Sequence, residues 1–331
     1  MLVRMTVLLA GLVLFNTARA DVECFLKRGT PTTLYIPSDT IYISADAAVD
    51  SATVIKGYKS NTLTANVGYN NCKNGTEFGK RPDNLGTQNT STRIYQTNLS
   101  GIGIKLLYNN GVGDGQFPST STVYFPNGST YGTVDVPAGS YYRVEFYKTS
   151  ALNLQNHDGD LVLPGGKIAY NYLMTNLGKT EILMLNIGQI KIVSTPVCTT
   201  SSPLEVNFND VTPALLRTGV KRDMNFNIVC KTDYGTYSAK ASITTTTPAS
   251  DGNSIRVTDA EGNTDRLAIK ITDSNGNDMK VDGSTGEKKA SIVSQSSAEY
   301  KWYAKLVAGS NSSGPAKGTF NAKAEIVFDI D

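Results

Sequence analysis

Apolar and polar positions along this chain alternate in short runs instead of recurring every three or four residues. The last fourteen residues, GTFNAKAEIVFDID (Gly318 to Asp331), show the alternation most regularly. Phe320, Ala322, Ala324, Ile326, Phe328 and Ile330 fall on one face; Asn321, Lys323, Glu325, Val327 and Asp329 fall on the other. A side-chain period of two is that of a half-buried β-strand. The stretches LEVNF from Leu204, MNFNIVC from Met224, SAKASITTTT from Ser238, RLAIKITD from Arg266 and YKWYAKLVA from Tyr300 read the same way. Between such runs stand Asn74-Gly75, Asn110-Gly111, Asn127-Gly128, Asp158-Gly159, Asn275-Gly276 and Asp282-Gly283, all dipeptides suited to hairpin turns. No amphipathic period of 3.6 runs long enough for a proper helix. The pattern predicts an all-β protein.

At about 150 residues per domain, a chain of 331 residues suggests two domains. The break is expected near KIVSTPVC, Lys191 to Cys198, where Pro196 interrupts an apolar alternation and forces the preceding residue to be extended. Composition changes there too, since thirteen of the seventeen tyrosines lie before residue 196. The segment after the break has the size and turn spacing of an immunoglobulin-like sandwich.

The first twenty residues set the compartment. Arg4, an apolar run from Val7 to Phe15 and Ala18-Arg19-Ala20 form the n-region, h-region and A-x-A site of a signal peptide, expected to be cut after Ala20. A membrane anchor would need about 20 apolar residues. Removal of Arg4 and Arg19 leaves 29 of the 31 basic residues, equal to the 29 acidic ones. A neutral chain without a basic run is a poor candidate for nucleic-acid binding.

Four cysteines, Cys24, Cys72, Cys198 and Cys230, allow three disulfide pairings. Pairing neighbours is the simplest topology and puts one bridge in each segment. A four-cysteine metal site is the rival, but neither pair has C-x-x-C spacing. No cofactor or metal is implied elsewhere. DSNGND (Asp273–Asp278) has its glycine at the wrong position for a calcium loop, and GVGDGQ (Gly111–Gln116) has the wrong spacing for a phosphate-binding fingerprint. His157 is the only histidine and sits in a polar turn, and no G-x-S-x-G elbow occurs, so nucleophilic catalysis has no obvious seat. The tyrosine excess is more suggestive, because a flat apolar ring with a polar tip suits sugars or protein surfaces. Tyr69-Asn70-Asn71 and Tyr108-Asn109-Asn110 are candidate ligand contacts: each places a ring beside two amides that donate and accept hydrogen bonds. Tyr142, inside a strand, reads as core.

Three elements together carry a family resemblance. PVCTTSSPLEVNFNDV, RDMNFNIVC and the terminal GTFNAKAEIVFDID resemble the pilin domain of chaperone–usher fimbriae. In the first segment PTTLYIPSDTIYISADAAVDSATV, YQTNLSGIGIKLL and YYRVEFYKTSALNLQNHDGDLVLPGGKIA resemble the receptor-binding domain of two-domain tip adhesins, nearest the type 3 fimbrial, MrkD-like group. The resemblance implies two β-sandwich domains, residues 21–195 binding a receptor and residues 196–331 forming an incomplete immunoglobulin-like pilin fold that lacks its last strand.

The implied partners are a periplasmic fimbrial chaperone, an outer-membrane usher, the next pilin subunit through its donor strand, and a host glycan or matrix-protein receptor. Phe320, Ala322, Ala324, Ile326, Phe328 and Ile330 would line the open groove, and the chaperone would hold the carboxylate of Asp331. Ile330 stands where the family commonly has an aromatic residue. The implied function is a non-enzymatic fimbrial tip adhesin, exported through the periplasm to the extracellular fimbrial tip. The rival is a secreted carbohydrate-active enzyme with an accessory β-domain.

Overall fold

The computed structural model describes residues 23–201 and 203–331. The expected signal peptide, residues 1–20, lies outside the described residues. Among the described residues the regular structure is all strand apart from one short helix, Pro213–Thr218. That helix has no buried residue; Thr212 accepts a hydrogen bond from the Leu215 amide at its start, and Gly219, at φ 80°, stops it.

Buried side chains fall into two clusters. One draws on residues between Cys24 and Ile192, among them Leu34, Ile104, Phe146 and Leu185. The other draws on residues between Phe208 and Leu306, among them Met224, Tyr237 and Trp302. Both are covered by largely antiparallel sheets whose inward positions are apolar, as the alternation requires.

Around the first cluster, one sheet runs in the order Ser119–Thr122, Glu77–Pro82, Gly166–Thr175, Gly178–Ile187, Thr32–Ile36. A second runs Lys56–Lys59, Tyr141–Lys148, Ile102–Asn109, Ile94–Gln96, Gln88–Asn89. Tyr142 is core as its strand position implies, and its hydroxyl donates to the Leu183 carbonyl at 2.8 Å. Two smaller sheets complete this half, one around Val67–Lys73 and one in which Ile190–Thr195 lies between Asp160–Leu163 and Asp39–Ser44.

Two pairings here are parallel: Gly178–Ile187 with Thr32–Ile36, and Ile190–Thr195 with Asp39–Ser44. Both strand pairs therefore turn from one sheet to the next at the same level. Gly188 makes the corner possible, because a Cβ there would come within 2.3 Å of the Ser38 backbone nitrogen. The Gly188 amide donates to Ile36, and the Asp39 amide donates to Gln189.

Around the second cluster, one sheet runs Val197–Thr200, Val220–Lys231, Ser297–Ala308, Leu267–Thr272, Ile255–Arg256. The facing sheet runs Asp282–Val293, Thr236–Thr244, Glu325–Ile330. Phe226 stacks on Tyr300 at 5.0 Å and meets the edge of Trp302 at 4.9 Å in the centre. Cys24 is bonded to Cys72, and Cys198 to Cys230, its direct cross-strand neighbour.

Several expectations shift. Residues 204–208 form no strand, although Val206 and Phe208 pack on the second core. The terminal alternation is divided: Asn321 exchanges backbone hydrogen bonds with Thr258, while the ladder to Thr236–Thr244 begins only at Glu325. Asp282-Gly283 opens a strand instead of turning a hairpin.

Candidate functional site

The terminal strand, Glu325–Ile330, pairs antiparallel with Thr236–Thr244 from Thr244↔Glu325 to Ala239↔Ile330. Asp331 extends the ladder by exchanging backbone hydrogen bonds with Ser238, and its side chain reaches Lys288 at 3.2 Å. Glu325–Ile330 is an edge: its sheet ends there, and no second strand pairs with it among the described residues. Ile326, Phe328 and Ile330 are half-buried against the second core, while Val327 points outward. The Phe328 ring lies 6.0 Å from Phe226 and 5.9 Å from Tyr300. Phe320 and Ala322 also lean on the core, Phe320 against Phe208 at 6.3 Å, whereas Ala324 is exposed where the chain crosses between its two pairing partners. The result is a half-covered apolar face beside a row of unpaired backbone groups. An extended segment carrying apolar residues at alternate positions fits both requirements at once.

The two tyrosine–asparagine candidates lie in different sheets. Tyr69 belongs to the strand Val67–Lys73, not to a turn, and its ring is buried at 3 % exposure, so it offers no contact surface. Burial also raises its phenol pKa. Asn70 accepts from Thr133, and Asn71, at φ 57°, accepts the Cys24 amide on its carbonyl. Tyr108 is half-buried in Ile102–Asn109; it donates to Ser140 and packs 5.5 Å from Tyr142. Asn109 and Asn110 hold the following turn through Gly111 and Val112. These amides largely serve the backbone around them.

Exposed rings stand elsewhere, with Tyr42 at 74 % and Tyr124 at 79 % exposure. Two shallow clefts open on this half. One, of about 420 Å³, is lined by Ser38, Asp39, Thr40, Tyr42, Gln189 and Lys191. The other, of about 490 Å³, brings Arg81, Gln88, Tyr95 and Thr120 together with two prolines. Its residues come from four separate segments, so no spacing in the sequence could have announced it.

A docked turn joins the two halves. Thr232 to Gly235 connects Val220–Lys231 with Thr236–Thr244 and reaches the first core. The Asp233 carboxylate accepts from Ser194 at 2.6 Å, and its carbonyl accepts the Leu154 amide. The Tyr234 hydroxyl accepts the Ser194 amide, and its ring stacks on His157 at 4.1 Å.

Comparison with known proteins assigns both halves. Residues 39–186 match the family model of the MrkD-like receptor binding domain, and residues 188–331 match that of the fimbrial protein. No curated protein matches the chain. Among solved structures, the receptor binding domain of the adhesin MrkD1P of Klebsiella pneumoniae is 20% identical, covering 52% of this chain and 96% of its own, with a TM-score of 0.39. The CupB6 tip adhesin of Pseudomonas aeruginosa is 11% identical over 93% of each chain, with a TM-score of 0.33. The CsuC–CsuE chaperone–tip adhesion subunit complex of Acinetobacter baumannii gives 10% identity over 91% of this chain and 99% of that one, with a TM-score of 0.40. Both family models are adhesin and pilin types, and neither is catalytic. With a MrkD-like receptor-binding module followed by a fimbrial module, the chain belongs to the two-domain fimbrial adhesins of the type 3 group.

Proposed function

We propose that this adhesin sits at the tip of a fimbrium, binding a host glycan or matrix protein through residues 21–195. Residues 196–331 would form a pilin domain that lacks its last strand and joins the shaft by donor-strand complementation. The observation that carries this reading is the edge position of Glu325–Ile330, with Ile326, Phe328 and Ile330 only half-buried. The extended, unladdered residues 204–208, whose Val206 and Phe208 lean on the same core, supply a second wall for a donor strand.

In this scheme a periplasmic chaperone fills the gap first, with its contact extending to Asp331. Exchange at the outer-membrane usher for the next subunit's extension follows. A free edge beside apolar surface is prone to aggregation, which is why the partner is needed early.

The test has two arms. The mature chain should melt at a higher temperature with an alternating apolar donor peptide, and a chain indifferent to the peptide would overturn the incomplete fold. A glycan and matrix-protein array probed with the complemented chain should give retained ligands; none would overturn receptor binding.

A further inference from the structure

The cleft of about 490 Å³ lies where the edges of two sheets of the receptor-binding half meet. Arg81 and Pro82 come from Glu77–Pro82, and Ser119 and Thr120 from its neighbour Ser119–Thr122. Gln88 and Tyr95 are cross-strand partners at the edge of the other sheet. Tyr95 lines this cleft at 4 % exposure, and its hydroxyl is buried without a hydrogen-bond partner among the described residues. A buried hydroxyl left unpaired is costly, and a native fold seldom keeps one without a use.

The surroundings define what would pair with it. Arg81 is held in place by Ser119 and Thr120, through Nη1 to the Ser119 carbonyl at 2.9 Å and Nη2 to Thr120 Oγ1 at 2.6 Å. Arg93 leans on the Pro118 carbonyl at 3.4 Å. Neither guanidinium has a carboxylate partner among the described residues, and no acidic side chain lines the cleft. Burial pushes the Tyr95 phenol up to about 12 against the opposing pull of Arg93 and Arg81, so the hydroxyl keeps a proton to donate. Gln88 spends both donor contacts on the Phe117 and Arg93 carbonyls, which fixes its amide in place. Pro82 and Pro118 add flat C–H surface on either side.

We propose that this cleft is a binding site for a carboxylate-bearing sugar unit. The site rests on the reading of residues 21–195 as the receptor-binding half. The carboxylate accepts from the Tyr95 hydroxyl and faces the field of Arg81 and Arg93, while the ring packs its C–H face on the prolines. A hydrogen bond to a charged acceptor is the strong kind, and an acid-free lining of donors and apolar rings rejects cations while tolerating neutral sugars poorly.

The test titrates the mature chain, complemented with donor peptide, with 3′-sialyllactose, a glucuronic-acid disaccharide, lactose and a short aspartate-containing peptide. One or both acidic sugars should bind at least tenfold more tightly than lactose and the peptide. Tyr95→Phe keeps the ring and removes only the hydroxyl; it should weaken that binding about tenfold or more. It should leave the melting temperature of the unliganded chain unchanged or raised. Binding of the peptide alone, equal binding of lactose, undiminished affinity in Tyr95→Phe, or a lowered melting temperature in that variant each overturns the site. If Tyr95→Phe retains full binding on the array, this site falls and receptor binding stands. A wild-type chain that binds nothing on the array overturns both.

Discussion

Lys148 and Asp233 meet across the junction of the two halves, with Nζ 3.8 Å from Oδ1 and side-chain exposures of only 4% and 7%. Lys148 ends a strand of the receptor-binding half, and Asp233 sits in the docked turn of the pilin half. Breaking a buried pair by removing one partner strands the other charge away from water, typically at about 3–5 kcal/mol. Asp233→Asn keeps an acceptor for Ser194 and should lower the melting temperature of the full chain markedly. Adding Lys148→Met should recover most of the loss. A double variant no better than the single one would show that the loss does not come from a stranded Lys148 charge.

Gly188→Ala tests the sheet-switching corner. Its Cβ would meet backbone at Ser38, which has no side-chain freedom to yield. Overpacking of this kind costs about 1–3 kcal/mol, and at roughly 2–4 °C per kcal/mol the melting transition should fall by several degrees. An unchanged transition would mean that the two parallel strand pairs have room to separate.

Glu287 and Trp302 give a pH prediction. Burial raises the Glu287 pKa, but the Lys289 ion pair at 2.6 Å, the Ser274 amide and hydroxyl, and the Trp302 indole at 2.7 Å outweigh it and leave the carboxyl below its ordinary range. A carboxylate depressed in the folded state binds fewer protons there than in the unfolded chain. Its stabilisation is therefore present above the unfolded value, about 4.3, and is lost as pH falls through the folded one. Trp302 is the only tryptophan, so its fluorescence reports this site directly. Denaturation followed at Trp302 should show stability falling below about pH 4. Glu287→Gln should be less stable at neutral pH and flatter across that window.

Phe328→Asp addresses the terminal strand. It would place a charge on the half-buried face, whereas Lys323→Asp lies on the exposed side. A donor peptide at a thousandfold excess over its Kd stabilises by about 4 kcal/mol. Phe328→Asp should lose that gain and Lys323→Asp should keep it, as read by melting temperature with and without peptide. Equal rescue of both variants would place the peptide elsewhere.

The all-β class and the half-buried face of the terminal strand were legible because one-sided burial imposes a period of two on side chains. Alternation reports a buried face, however, and not a hydrogen-bonding neighbour. Residues 204–208 therefore alternate and pack without joining a ladder. Asp282–Val293 escaped notice for the converse reason: it pairs with Thr236–Thr244 across two irregularities, yet its one wholly buried residue is Glu287. Tyr69 misled because Asn-Asn beside a ring looks like a turn, whereas that strand bends at Asn71 without leaving its sheet. The Tyr95 cleft was invisible for a different reason, since tertiary folding alone assembles it.

The placement of Ile190–Thr195 between Asp39–Ser44 and Asp160–Leu163 has a mechanical side. In the proposed role, a tether pulled from a surface-bound receptor towards the shaft would leave the first half through this strand. Because its neighbour Asp39–Ser44 runs parallel to it, six residue pairs from Ile190↔Asp39 to Thr195↔Ser44 lie side by side along the line of pull. Tension then shears their hydrogen bonds together instead of unzipping them one at a time. Forced unfolding is governed by the barrier and not by equilibrium stability, so in the proposed role resistance to tension would be set at this exit strand.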